Sequence, residues 1–301
     1  MRARTSARGF GRRMRVDWGR SCRGGVILWQ TPDMRRRPQL LPWKSAGEVT
    51  ERQVSGDDVV RATGWVFNNE TGGDLTLEEF VATGDEEVPA YLTVFGLRSD
   101  DNLDKSMVEI GCGIGRMTCA FTREYGSVVA CDLDAGFLER CHETVAILGE
   151  PGRLTTSQVV DGRTLDLPPN STDLAFSYIT LQHCDADDAL ELTAQAVRVT
   201  RPGGRIALNY RARSGKDVVV LPLGSLARAS FGIPRLGPWL AQRRWLTRFG
   251  WQANRLSPDE VIGPLTPLLT DVEIWRNPSS KITGRGAVVR TFEGINKAHY
   301  W

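Results

Sequence analysis

At 301 residues, with 41% hydrophobic and 25% charged residues, the chain has the composition of an ordinary globular protein and room for one full α/β domain with additions. No apolar run approaches the roughly 20 residues needed to cross a bilayer, which excludes a transmembrane chain. The six cysteines form no C-x-x-C pair and no metal-ligand spacing, and the three histidines are dispersed, so the chain reads as a cytoplasmic protein with reduced thiols and no metal site.

The net charge of +2 conceals an uneven distribution. Residues 1–44 hold eleven arginines and Lys44 against Asp17 and Asp33, a net +10, which leaves −8 on the remainder. This basic head has no helical or strand period and is broken by Pro32, Pro38 and Pro42, so it reads as an unstructured extension. Met14 and Met34 offer alternative starts; targeting, or contact with nucleic acid or membrane, are the competing readings. In the next stretch Trp65-Val-Phe67 leads into a turn at Asn68, Asn69, Gly72 and Gly73. Residues 75–97 then carry Leu77, Phe80, Val81, Val88, Tyr91, Leu92 and Phe95 at helical spacing, which predicts one or two helices.

Met107 to Ile110 reads as a buried strand and Arg116 to Tyr125 as a helix, so Gly111, Gly113 and Gly115 form the turn between them. Gly111 and Gly113 remove β-carbons that would keep a ligand off the backbone, and the N–H groups of the turn face that ligand. A dinucleotide fingerprint needs G-x-G-x-x-G, with its third glycine where Arg116 stands. The string Glu109-Ile-Gly-Cys-Gly-Ile-Gly115 instead resembles the first motif of class I S-adenosylmethionine-dependent methyltransferases, an acidic residue followed by G-x-G-x-G. The resemblance implies that Glu109, Gly111, Cys112, Gly113 and Gly115 meet S-adenosyl-L-methionine. It also implies that the helices before the first strand cover this cofactor, with Trp65, Phe80 and Tyr91 as candidates to line the pocket, although aromatic residues at helical spacing are usually core. Cys112, beside the loop, is a candidate for oxidation.

Ser127 to Cys131 is a second buried strand ending at Asp132, 21 residues after Gly111. A carboxylate there can accept from both hydroxyls of a ribose lying across the strand ends. Asp134 reads as the cap of a helix from Ala135 to about Leu148. A third strand near Thr156 to Val160 leads to Asp161-Gly162, an ordinary strand-ending turn by itself. By the resemblance Leu133 lies against the adenine, Asp161 takes the adenine amino group and the following N–H meets the ring. Leu174 to Tyr178 is the fourth strand, and the resemblance makes Ser177 and Tyr178 neighbours of the methionine part. His183 falls just past it, at the carboxyl edge where ligands bind in open α/β sheets, and an imidazole there can take the proton from a hydroxyl being methylated; a structural or cofactor-side role is the alternative. A helix from Ala186 to Thr200 then leads through Arg201-Pro-Gly-Gly204, whose paired glycines allow a tight reversal, to a fifth strand at Arg205 to Tyr210. The turn also resembles that of the family, and the likeness runs over roughly residues 75–210.

Residues 211–257 exceed what the fold requires and hold nine basic residues against Asp217, a net +8. Leu236, Trp239, Leu240, Leu246 and Phe249 fall on one side of a helix and Arg244 and Arg248 on another. This predicts a lid favouring an anionic or lipid-like acceptor, with a dimer contact or a solvated surface helix as the alternative. Thr270 to Arg276 and Ala287 to Phe292 read as a closing antiparallel pair. The expected fold is therefore α/β, a seven-stranded, mostly parallel, doubly wound sheet whose last two strands are antiparallel. Residues 1–44 are a basic head, and residues 45–301 a methyltransferase domain with its core at 105–210, an insertion at 211–257 and closing strands within 270–292. The expected function is methyl transfer from S-adenosyl-L-methionine to a small-molecule or lipid-like acceptor, O-methylation favoured, with no stable nucleic-acid partner and a homodimer as one use of the insertion. A nicotinamide dehydrogenase conflicts with the glycine spacing, and a non-catalytic adenosylmethionine-binding protein is the other alternative.

Overall fold

A computed structural model describes residues 55–67, 75–211, 217–241 and 254–274. Five strands, β1 (Ser106–Ile110), β2 (Ser127–Asp132), β3 (Leu154–Gln158), β4 (Thr172–Ser177) and β5 (Thr200–Leu208), make one sheet in the order β3-β2-β1-β4-β5, and every pairing is parallel. Parallel strands need crossovers, and the chain supplies α3 (Thr118–Glu124), α4 (Ala135–Leu148) and α5 (Ala186–Val199), preceded by α1 (Gly56–Phe67) and α2 (Leu77–Val94). One face of the sheet buries Val108, Ile110 and Ala175 against Ala189, Leu192 and Ala196 of α5. The other buries Met107, Val128 and Phe176 against Phe121 of α3 and Val88, Tyr91 and Leu92 of α2. Both faces being covered explains why β1 is an apolar run rather than an alternating one. The order also fixes the functional edge, because the chain leaves β1 toward β2 and resumes on the other side at β4, which opens a crevice outside the carboxyl ends of β1 and β4.

The helix starts follow local chemistry. Thr76 and Glu79 form a capping box on α2, with Glu79 N–H donating to Thr76 Oγ1 at 3.2 Å and Thr76 N–H to the Glu79 carboxylate at 2.9 Å. Asp134 caps α4 by accepting from Phe137 N–H at 3.0 Å. Residues 77–94 form one continuous helix that lies close on the glycine turn, since a Cβ on Gly84 would stand 2.1 Å from the Arg116 carbonyl oxygen. Phe80 and Tyr91 are fully buried core residues rather than pocket lining, Phe80 against Val59, Ile114 and Phe137, and Tyr91 against Phe95, Phe176 and Tyr178.

Several boundaries differ from expectation. The helix after the glycine turn begins at Thr118 instead of Arg116, because Gly113 and Gly115 hold φ of 55° and 95° and keep the chain out of the helical region until both are passed. β3 lies at Leu154–Gln158, two residues early, with Val159 N–H donating to the Asp132 carbonyl at 2.8 Å beyond the paired segment. β5 begins at Thr200, and the register jumps from Thr172 opposite Thr200 to Leu174 opposite Arg205. Residues 201–204 therefore bulge out against Asp173, with Gly203 at φ 82° and Arg201 pairing with the Asp173 carboxylate. Among the described residues there are five strands, not seven. Residues 270–274 are not in a strand, and Ala287–Phe292 lies outside the described residues.

The insertion folds differently from the single amphipathic helix expected. It contains α6 (Asp217–Phe231) and α7 (Leu236–Ala241), followed by α8 (Pro258–Ile262) with its own Ser257–Glu260 capping box. Arg244, Leu246, Arg248 and Phe249 lie outside the described residues, as do the basic head and the side chain of Trp65. Segment 254–262 packs back on the sheet, with Leu256 and Val261 joining the core beside α5. Arg255 Nε donates to Asp217 Oδ1 at 3.1 Å, tying the first residue of α6 to this segment through a buried ion pair.

Candidate active site

At the end of β1 the N–H groups of Gly111 and Cys112 donate to the Cys131 carbonyl at 2.7 and 3.1 Å, so the glycine turn is fastened to the end of β2. Gly113 N–H then donates to Asp132 Oδ2 at 2.9 Å and Asp134 N–H to Asp132 Oδ1 at 3.1 Å. Each carboxylate oxygen thus holds one backbone donor and keeps capacity for another, the arrangement two neighbouring hydroxyls can complete. Burial pushes the Asp132 carboxyl up to about 6, against the hydrogen bonds from Asp134 and Gly113 that favour its charge.

Glu109, buried on β1, accepts from Thr118 Oγ1 at 2.7 Å. Burial pushes its carboxyl up to about 7, the Thr118 hydroxyl and the Arg116 charge oppose that rise, and the Asp132 charge adds to it. A carboxyl raised in the folded state gives stability that is full below its ordinary range and lost as pH climbs through about 7. Glu109→Gln keeps an oxygen for Thr118, so the cofactor-free variant is expected to gain up to about 3 kcal/mol at about pH 8 and nothing at about pH 4. Thermal melts at the two pH values check this, and an equal shift at both would show that the buried charge is not the cause.

The end of β4 is stitched to the same turn. Ser177 Oγ donates to the Ile110 carbonyl at 2.9 Å, and Thr180 Oγ1 lies 3.3 Å from the Gly111 carbonyl. Between them Ile179 adopts φ 56°, a left-handed conformation costly for a β-branched residue, and its N–H is held by Asn209 Oδ1 at 3.1 Å. Gly111 has a reason the sequence did not show, since a Cβ there would fall 2.1 Å from Thr180 Oγ1, so the glycine is required by the chain's own packing before any ligand arrives. Buried Arg116 pairs with Glu87 at 3.0 Å, donates to Thr83 at 3.1 Å and lies 5.9 Å from the centre of the Tyr178 ring, which pins α2 over the turn. Arg116, Thr118, Thr180 and Asn209 were missed as site-building residues because each acts through a partner distant in sequence.

The remaining candidates fall around this crevice in different states. Asp161 is turned into its own loop, accepting from Arg163 N–H at 2.8 Å, Thr164 N–H at 2.7 Å and Thr164 Oγ1 at 2.7 Å, beside Gly162 at φ 72°. Burial raises its carboxyl, but those hydrogen bonds together hold it below the usual value. The Leu133 carbonyl accepts from Gln158 Nε2 at 3.0 Å, fixing the loop that carries it. Tyr178 packs 5.0 Å from Tyr91. His183 sits half-buried on the single turn Leu181–His183, its Nε2 3.4 Å from Gln182 Nε2. That turn is clasped by Asn254, whose Nδ2 donates to the carbonyls of Leu181 and Cys184 at 2.6 and 2.7 Å. Cys112 is buried and its thiol is pushed well above the usual value, chiefly by burial, which makes it a poor target for oxidation.

A family profile described as a methyltransferase domain matches residues 108–208. The chain is 28% identical over 141 residues to phosphoethanolamine N-methyltransferase 1 of Triticum aestivum, a match covering 44% of this chain and 27% of that enzyme. Among solved structures it is similar to a magnesium protoporphyrin IX methyltransferase from Synechocystis PCC 6803 with bound SAH, at 15% identity and a TM-score of 0.44 over 70% of this chain and 86% of that one. It is also similar to an S-adenosylmethionine-dependent methyltransferase from Mesorhizobium loti, at 22% identity and a TM-score of 0.34 over 42% of this chain and 56% of that one. The chain therefore spans about a quarter of the wheat relative's length. Residues 108–208 therefore carry a methyltransferase domain.

Proposed function

We propose that the protein transfers a methyl group from S-adenosyl-L-methionine to a small, anionic or lipid-like acceptor. The observation that carries this reading is the Asp132 carboxylate suspended between Gly113 N–H and Asp134 N–H at the carboxyl edge, with an acceptor position open on each oxygen. In this reading Asp132 holds the ribose, Leu133 lies against the adenine, and Asp161 and Gly162 meet its polar edge. Glu109, Gly111, Cys112, Gly113 and Gly115 form the cradle, and Ser177 and Tyr178 flank the methionine part. The bound cofactor supplies an already activated sulfonium methyl, so the chain's work is to orient the acceptor in line and exclude water. Residues 45–301 make up the catalytic domain, in a cytoplasmic protein that needs no nucleic acid.

An anionic acceptor is supported by the charge balance beyond β5. Arg211 and Arg255 both act on Asp217, two guanidinium groups for one carboxylate. Burial pushes Arg211 down to about 10, the Arg255 charge lowers it further and Asp217 opposes both. Among the described residues Arg211 makes no hydrogen bond or ion pair, so a carboxylate or phosphate on the acceptor would supply the missing charge. The wheat relative is named for N-methylation of phosphoethanolamine, which brings an amine beside a hydroxyl as the accepting group here, with O-methylation the first choice from His183.

If His183 is the base, His183→Ala should lower turnover about a hundredfold with cofactor affinity unchanged, and the wild-type rate should rise with pH through the imidazole range. Loss of cofactor affinity instead would assign the residue to holding the turn. The functional reading itself is tested by incubating the full chain with methyl-labelled cofactor and fractionated small-molecule extract. Label is expected in an anionic or lipid fraction, and cofactor binding without transfer to any fraction would make the protein a non-catalytic binder.

A further inference from the structure

α6 is built the wrong way round for a helix that serves only a core. The residues it buries are Asp217, Gly224, Ala227 and Phe231, mostly small. What it keeps in solvent is Val218 at 79% exposure, Val219 at 62%, Leu223 at 47% and Leu226 at 69%. Large aliphatic side chains normally occupy the inward stripe. The chain beyond continues the pattern, with Ile233 at 45% and Trp239 on α7 at 50%. A contiguous apolar surface of this kind marks a contact made by something outside the chain.

The charges beside it say what kind of contact. Arg228 on α6 and Arg235 just beyond it put positive charge beside this surface, and between residues 218 and 258 the sequence holds no aspartate or glutamate to offset it. The rest of residues 45–301, outside the insertion at 211–257, carries −16. We propose that α6 and α7 dock the protein on an anionic lipid bilayer, lying in the plane of the interface with Val218, Leu223, Leu226 and Trp239 at the boundary between headgroups and acyl chains. Aliphatic side chains supply the insertion, tryptophan suits the headgroup level, and arginines can extend to lipid phosphates while their stems stay in the apolar layer. A second copy of the chain is disfavoured as occupant, since a self-facing contact would set one cationic surface against another. None of the described helices is long and apolar enough to cross a membrane, so the contact is peripheral. The buried Arg255–Asp217 pair at the start of α6 fastens this surface to the domain.

The test is co-sedimentation of the full chain with vesicles of phosphatidylcholine alone and of phosphatidylcholine mixed with phosphatidylglycerol. The protein is expected to pellet with the mixed vesicles and to be released as salt rises. Leu223→Ser with Leu226→Ser, at exposed positions that leave the melting temperature unchanged, is expected to cut partitioning about tenfold or more. Val218→Ser with Val219→Ser should act the same way. Both variants keep the basic residues 1–44, so wild-type partitioning by both would assign the binding to bulk charge and overturn the proposal. Absence of binding to the mixed vesicles would also overturn it, as would a dimer that the leucine variant dissociates while no vesicle binding is seen.

Discussion

Asp132→Ala is expected to weaken S-adenosylmethionine binding about a hundredfold while leaving the sheet intact. The carboxylate is positioned by two backbone donors, Gly113 N–H at 2.9 Å and Asp134 N–H at 3.1 Å, one on each oxygen, and each oxygen keeps room for one hydroxyl. Hydrogen bonds to a charged group contribute about 1.5–3 kcal/mol each. Part of that is offset because burial already disfavours the charge, so about 3 kcal/mol, or two orders of magnitude in affinity, is the net expectation. The same physics gives a pH dependence. With its carboxyl at about 6 in the free protein, Asp132 is ionised above that value and protonated below it. Affinity should therefore hold at neutral pH and fall as pH drops through about 6. Calorimetric titration of wild type and variant across this range measures both effects. Wild-type affinity in a folded variant would remove Asp132 from the site.

Gly111→Ala is expected to cost several kcal/mol of stability and to abolish measurable cofactor binding. A Cβ at this position would stand 2.1 Å from Thr180 Oγ1 and 2.2 Å from Thr180 Cγ2, and the residue holds φ +83°, where a side chain is strained even with space around it. Relief requires moving Thr180, whose neighbour Ile179 is already in a left-handed conformation held by Asn209. The disturbance therefore reaches both strand ends that frame the crevice. Thermal unfolding of Gly111→Ala, of Thr180→Gly and of the double variant separates the causes. If the clash dominates, the double variant should recover part of the loss, giving a coupling of about 1–3 kcal/mol. Strictly additive effects would leave backbone strain as the whole explanation.

Features written in contiguous residues were legible in the sequence. The strand Met107–Ile110, the glycine turn, Asp132 and the Asp134 cap all depend on neighbours within a few positions, and α4 spans Ala135–Leu148 as its period and cap predicted. The long-range contacts left no such trace. Thr180 meets Gly111 across 69 residues, Arg116 meets Glu87 across 29 and Asn254 meets Leu181 across 73. These set the geometry of the crevice, yet no local spacing marks them. The pattern over residues 75–97 was read correctly as helical, but the same periodicity serves a core and a pocket, and Phe80 and Tyr91 went to the core. α6 escaped notice because its inward positions, Gly224 and Ala227 among them, do not stand out against an apolar outer face.

In the proposed function the turn of Gly111, Gly113 and Gly115 with Asp132 holds an adenosylmethionine rather than a dinucleotide. Side-by-side calorimetric titration of the full-length protein with S-adenosyl-L-methionine and with NAD tests it most directly. Saturable binding of S-adenosyl-L-methionine, lost in Asp132→Ala, with no heat from NAD, is the predicted result; NAD binding of equal or greater affinity, or no binding of S-adenosyl-L-methionine to the folded protein, would contradict it.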